Sequence, residues 1–351
     1  MKAARWHGEK DIRVEEVEIE QPGKHQVQVE VKYAGICGSD LHEYTHGPMI
    51  IPFNEPYPLT GHKGVTTMGH EFAGVVSAVG EGVKDIKVGD RVAIEPMYRN
   101  KESAFYVEGN YNLGEHFGFV GLSSNGGFAK YVVVEDYMVN KIPDSMSFEL
   151  GALVEPAAVA VHAVRNSGLQ IGDTCTVFGV GPIGLLTIQA VKAAGASKII
   201  AIDVSEARLK KAEEVGATHV INGKDTDLVD QIKEITGARG VQYGFEVAGV
   251  QPTFTNLMKS LRNGGTCVII ALFAKPLEVD AFDIAVRELK IIGCLAYKNI
   301  FPEVIQLINE GKMDVAKLIS NKIKLDDIVD KGFEALLGGN EIKVLVDIAA
   351  S

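Results

Sequence analysis

Cys37, His70, Glu71 and Glu155 are the side chains of this sequence whose types could grip a reactive metal ion. A thiolate, an imidazole and carboxylates make the donor set of a catalytic zinc, which keeps three protein ligands and leaves a fourth position for water or substrate. Cys37 opens the run Cys37-Gly38-Ser39-Asp40-Leu41-His42, and the next two donors lie in Gly69-His70-Glu71-Phe72-Ala73-Gly74. A second motif, Gly179-Val180-Gly181-Pro182-Ile183-Gly184, follows an apolar run and opens a helix-like one. A dinucleotide pyrophosphate would sit there. A Lewis acid working with a nicotinamide suits hydride transfer to or from an alcohol carbon.

Taken singly, each donor has an ordinary alternative. Cys37 could be a buried thiol, His70 a turn histidine and Glu71 a solvated charge. The combination is what argues for metal. Glu155 is the only acidic residue between Leu150 and Val164, an otherwise apolar run. A carboxylate there is costly unless it is paired or metal-bound, or stabilises the start of the helix opening at Pro156. His162, further along that helix, reads as packed rather than ligating.

A lone G-x-G-x-x-G is weak, because glycines are common, but here the context agrees. A strand-like run enters the motif, a helix-like run leaves it, and Asp203 ends the next strand 19 residues after Gly184. Gly179 would allow the tight turn, Gly181 the approach of the pyrophosphate and Gly184 close helix packing. The helix opening at Pro182 and Ile183 offers free N–H groups to phosphate. Asp203 would accept from the adenosine ribose and repel a 2′-phosphate, so NAD is preferred over NADP; Arg208 works against that preference. The alternative for Asp203 is a helix cap with Glu206 three residues on.

The elements that must position these groups fall into two textures. Up to about residue 143, short alternating runs such as Val27-Gln28-Val29-Glu30-Val31 are separated by Gly, Pro and Asp. These predict half-buried strands and turns. From Asp173 strand and helix alternate: 174–178, 183–194, 198–202, 206–215, 218–221, 228–235, 243–247, 254–261 and 266–272. Apolar strands spaced by amphipathic helices imply a parallel sheet covered on both faces. A helix over 301–309 and a strand over 344–348 close the chain. The predicted architecture is α/β, with a β-rich domain over 1–152, a doubly wound domain over 153–295 and a C-terminal return to the first over 296–351. A chain of 351 residues is long enough for two cores.

The net charge of -11 argues against a nucleic-acid partner, since phosphate binding needs clustered Lys and Arg. No stretch approaches the roughly 18 apolar residues of a membrane span, and the first 20 residues lack a signal-peptide core, so a cytoplasmic protein is expected. Cys175, Cys267 and Cys294 lie in apolar runs and read as free thiols.

The pattern Gly69-His70-Glu71-x2-Gly74-x5-Gly80-x2-Val83 resembles the signature of the zinc-containing medium-chain alcohol dehydrogenases. Cys37-Gly38-Ser39-Asp40 and Val154-Glu155-Pro156-Ala157 extend the resemblance, and the order of domains covers the whole chain. Within that family the chain looks most like the polyol branch, on the segment from His42-Glu43-Tyr44 through Gly47-Pro48 and Pro56-Tyr57-Pro58-Leu59-Thr60-Gly61. The resemblance implies a GroES-like catalytic domain, a Rossmann domain, and assembly as a homotetramer or homodimer. It implies zinc held by Cys37, His70 and Glu155, with Glu71 as a neighbouring or exchanging ligand. Ser39 would contact the substrate hydroxyl and His42 would pass its proton towards solvent. The substrate implied is a small diol or hydroxyketone, 2,3-butanediol and acetoin first, diacetyl also, with sorbitol-like polyols as the alternative. Two other readings are a zinc-free quinone reductase of the same fold and a non-catalytic NAD-binding protein; the joint presence of ligand and relay residues speaks against both.

One departure stands out. Most relatives hold a second, structural zinc on four cysteines, and counting from the flanking Gly89–Pro96 and Gly109–Leu113 segments places those positions at Asn100, Ser103, Tyr106 and Gly114. None is a thiol, so one zinc per chain is expected, with Tyr98, Phe105, Tyr106 and Tyr111 packing in place of the second.

Overall fold

The alternating runs of the first half form short strands: β1 (Lys2–Gly8), β2 (Asp11–Glu16), β3 (Gln26–Gly35), β4 (Thr66–Thr67), β5 (Glu71–Val79), β6 (Arg91–Ile94), β7 (Tyr131–Glu135) and β8 (Val139–Lys141). Their pattern follows the pleat, as Val27, Val29 and Val31 of β3 are fully buried. The strands β9 (Thr174–Phe178), β10 (Lys198–Asp203), β11 (His219–Asn222), β12 (Val241–Glu246), β13 (Leu261–Ile269) and β14 (Lys290–Gly293) follow, and β15 (Ile319–Lys324) and β16 (Lys343–Asp347) end the chain. This computed structural model describes residues 1–339 and 341–351.

Two units result. One comprises Met1–Glu155, Phe301–Asn309 and Val315–Ser351, the other Pro156–Ile300 and Glu310–Asp314. In the first unit, β2-β1-β4 form a small antiparallel sheet. A larger sheet runs β15-β16-β3-β5-β6-β8, with β7 also on β3. The C-terminal strand β16 therefore lies beside β3, pairing Leu345 with Gly35.

The second unit is a parallel six-stranded sheet in the order β11-β10-β9-β12-β13-β14. The strand order reverses between β9 and β12, and a crevice at the carboxyl ends of such strands is where ligands of open α/β sheets bind. Helices Pro182–Ala193, Glu206–Val215, Leu228–Ile235 and Gln251–Ser260 connect the strands. Leu228 and Ile232, one helical turn apart, enter one core with Phe178, Ile200, Ile221 and Leu257.

Sequence reading misplaced two helix starts. The helix expected from residue 254 begins at Gln251, because Pro252 suits a first turn. The helix expected to open at Pro156 spans Val154–Ser167, so Glu155 lies in its first turn. Among the described residues, no helix is long and apolar enough to cross a membrane.

Candidate active site

Pairing of β3 with β5 gathers the donors. Gly35 lies opposite Glu71, so Cys37 and His70 leave the same end of the pair. A Cβ at Gly35 would strike Glu71 Oε2, so glycine there leaves room for that carboxylate. Cys37 caps the helix Gly38–His46. The donor atoms of Cys37, His70 and Glu71 all lie within 4.8 Å of one another. Glu155 is not one of that trio; it is buried, and its charge acts on Lys343, the cation paired with Glu71.

Two residues complete the cluster that the sequence did not single out. Asp40 is fully buried, accepts from the Cys37 N–H at 2.9 Å, and places Oδ1 3.4 Å from His70 Nδ1. A carboxylate on the far nitrogen of a histidine fixes the ring and raises its basicity as a ligand. Lys343 reaches in from β16, donates to the Ile36 carbonyl at 3.0 Å and forms an ion pair with Glu71. Burial pushes the pKa of each of these two bases down. Asp40 and Cys37 outweigh that at His70, which is held well above its ordinary value. Glu71, then Cys37, outweigh it at Lys343.

Buried side chains normally find hydrogen-bond partners, and an orphan costs about 1–3 kcal/mol. Here Glu71 Oε1 has none, and Asp40 Oδ1 and His70 Nδ1 have only each other, at 3.4 Å. A dication on the Cys37–His70–Glu71 trio would answer the excess negative charge, and sulfur, nitrogen and oxygen donors are those zinc takes. The residues fit the metal.

Ser39 Oγ lies 3.2 Å from His70 Nε2, beside the donor cluster. His42, one helical turn on, is exposed. Phe119 packs against the His70 ring at 6.1 Å, and Phe117 meets Phe119 edge-on at 4.8 Å. His162 is buried, accepts from Asn166 at 3.1 Å, and burial lowers its pKa to about 4. It is a packed histidine.

The glycine motif opens the crevice of the second unit. Gly179 has φ +88°, and a Cβ there would come within 2.8 Å of the Ala248 backbone. Gly181 caps the helix Pro182–Ala193; Pro182 has no N–H to leave unpaired, and the Ile183 N–H in the opening turn is free for phosphate, while Gly184 is buried. Asp203 ends β10; its carboxylate accepts from Val180 N and from Ser205 N, both at 2.9 Å. The cap of the following helix is Ser205, accepting from Arg208 N, so the capping alternative for Asp203 does not hold. Cys37, Cys175, Cys267 and Cys294 are all free thiols.

The segment around Asn100, Ser103, Tyr106 and Gly114 is held by a guanidinium. Arg99 packs on the rings of Tyr111 and Tyr137 at 4.0 and 4.7 Å, and Glu95 accepts from Arg99 at 3.0 Å and from the Tyr111 hydroxyl at 2.6 Å. Tyr98 donates to Ser124 and tilts against Tyr57, whose hydroxyl bonds the His116 carbonyl. Phe105, by contrast, is 40% exposed, so the expected four-ring packing is corrected to a clamp in which Arg99 is central. A Cβ on Gly114 would lie 3.5 Å from Ser103 Oγ.

Residues 23–144 match the alcohol dehydrogenase GroES-like domain, and residues 182–310 match the zinc-binding dehydrogenase family. The chain is 47% identical to a (R,R)-butanediol dehydrogenase of Bacillus subtilis (strain 168), covering 99% of each. It is 37% identical to a sorbitol dehydrogenase of the same strain, covering 99% of this chain and 97% of that one. A crystal structure of 2R,3R-butanediol dehydrogenase from Bacillus subtilis superposes with a TM-score of 0.94 at 46% identity, over 99% of both chains. The chain belongs to the zinc-binding medium-chain alcohol dehydrogenases, a family pairing a GroES-like domain with a Rossmann domain. It is an alcohol oxidoreductase that works with a nicotinamide coenzyme.

Proposed function

We propose that the protein interconverts the secondary alcohol of a small vicinal diol and the corresponding ketone, with 2,3-butanediol and acetoin as the preferred pair and NAD as coenzyme. The observation that carries the chemistry is the Cys37–His70–Glu71 trio within 4.8 Å, with the buried Glu71 Oε1 unpartnered. When bound, zinc supplies a Lewis acid for the alcohol or carbonyl oxygen, and the nicotinamide accepts or returns the hydride. Cys37, His70 and Glu71 would hold the ion, with Glu155, which the family resemblance implies as a ligand, as the further buried carboxylate whose charge acts on Lys343. Lys343 would hold the Glu71 carboxylate in place beside the other two donors. Asp40 holds the His70 ring. Ser39 takes the proton of the reacting hydroxyl and exposed His42 passes it to water.

The substrate choice is supported by the (R,R)-butanediol dehydrogenase relatives and by the wall beside His70. Phe119 and Phe117 offer ring surface to a methyl group, whereas a sorbitol chain would place hydroxyls there with no partner, a mismatch that buried sites penalise. Asp203, whose oxygens are already oriented by Val180 and Ser205, supports NAD over NADP by repelling a 2′-phosphate. One zinc per chain is proposed, because Asn100, Ser103, Tyr106 and Gly114 supply no thiol. Assembly as a homodimer or homotetramer is supported by the edge strand β14. Among the described residues it pairs only with β13, near exposed Phe282 and Val286.

A substrate panel with both coenzymes tests this reading. The butanediol isomers and acetoin should be turned over with higher kcat/KM than sorbitol, and with NAD(H) above NADP(H). A preference for sorbitol or for NADPH would overturn the corresponding part.

A further inference from the structure

Glu246 ends β12 at the point where the strand order reverses, and it is fully buried. Its neighbours are few and specific. Gly249 N donates to both carboxylate oxygens, at 3.0 and 3.3 Å, and the Thr253 hydroxyl donates to Oε1 at 2.6 Å. One side chain thus ties the loop Val247-Ala248-Gly249 and the first turn of the helix Gln251–Ser260 to the end of the strand.

That loop sits against the glycine motif. Val247 N donates to the Phe178 carbonyl, and Ala248 is the residue a Cβ on Gly179 would strike. The same rim carries apolar side chains open to solvent, Val204 at 57%, Val250 at 49% and Leu272 at 74% exposed. Exposed apolar groups around a phosphate-binding turn are what the rings of a dinucleotide would cover. Burying a carboxylate is unfavourable, and burial does push the Glu246 pKa up against the hydrogen bonds from Thr253 and Gly249. An apolar residue would fill the space more cheaply, so the carboxylate is kept for the backbone it fixes.

We propose that Glu246 is a positioning residue for the coenzyme. It does not touch the dinucleotide; it holds the Val247–Gly249 loop in the shape that backs Gly179 and walls the crevice. Pre-formed walls strengthen binding by removing the ordering cost from the binding step. The proposal rests on the coenzyme reading of the glycine motif.

The test is a fluorescence titration with NADH, read beside thermal unfolding and steady-state kinetics. Glu246→Gln puts an amide N–H₂ against the Gly249 N–H and Thr253 donors, and should weaken NADH binding about tenfold or more. The KM of the coenzyme should rise with it, while kcat at saturating coenzyme, the KM of the diol and zinc content stay within about twofold. Thr253→Val should weaken NADH binding in the same direction and Thr253→Ser should restore it, which decides the matter even where Glu246→Gln folds poorly. Variants that lose thermal stability but bind NADH as the parent does would overturn the proposal, leaving Glu246 a helix anchor. Failure of the parent enzyme itself to bind NADH would instead overturn the coenzyme reading.

Discussion

Two buried glutamates of the first unit meet cations in different ways. Glu95 accepts from Arg99 and Tyr111, and the guanidinium lies between two aromatic rings. Glu71 faces Lys343, yet its Oε1 has no partner, and beside it Asp40 Oδ1 and His70 Nδ1 meet only each other. The first arrangement supplies its own counter-charge from protein. The second holds more negative charge than one lysine answers, and its donors are of the types zinc prefers. One region is a cluster of metal-type donors, the other a lobe closed by arginine.

Four substitutions or titrations bear on that contrast. Cys37→Ser should produce the largest effect, a loss of about 10³-fold in kcat/KM, equal to ~4 kcal/mol of transition-state stabilisation, with NADH affinity retained. Near-normal turnover would erase the distinction between the two regions.

Lys343→Met should destabilise the metal-free protein by about 3–5 kcal/mol in urea unfolding, because Glu71 would be left buried without a cation. Zinc should recover part of the loss; an equal loss with and without zinc would mean the two cations do not share the same carboxylate.

The third test is pH. The His70 pKa is raised in the metal-free fold, so its protonated form adds stability that is complete below 6.5 and lost as pH climbs through the raised value. Zinc needs the neutral ring and competes with that proton. The rise in melting temperature on adding zinc should therefore grow as pH climbs above 6.5. Asp40→Asn should flatten this trend and weaken zinc roughly 10–100-fold. A gain independent of pH would contradict the assignment of His70.

The smallest effect belongs to the lobe. Arg99→Ala should cost about 1–3 kcal/mol of stability through lost charge-assisted bonds and ring contacts, with zinc content unchanged. Loss of metal in this variant would show that the lobe, too, depends on an ion.

Much of this was legible in the sequence for identifiable reasons. Alternation in 27–31 gave β3, and the switch to unbroken apolar strands with amphipathic helices gave the parallel sheet, because burial imposes those periods locally. The donors Cys37, His70 and Glu71 were named from type and motif. Asp40 had a signal that went unread, an acid three residues after the capping Cys37. Lys343 had none, since its partner stands at the other end of the chain and only the pairing of β16 with β3 brings it in. Arg99 carries no periodicity or motif, so nothing in the sequence marks the guanidinium that organises the rings. Glu246 reads in sequence as one acid at the end of a strand, and only the loop folded over it shows what it holds.

Elemental analysis of the purified protein, with Cys37→Ser measured in parallel, addresses the core of this account. One zinc per chain in the parent and almost none in the variant is the predicted result. Two tightly held zinc ions in the parent, or one retained by Cys37→Ser with turnover intact, would contradict it.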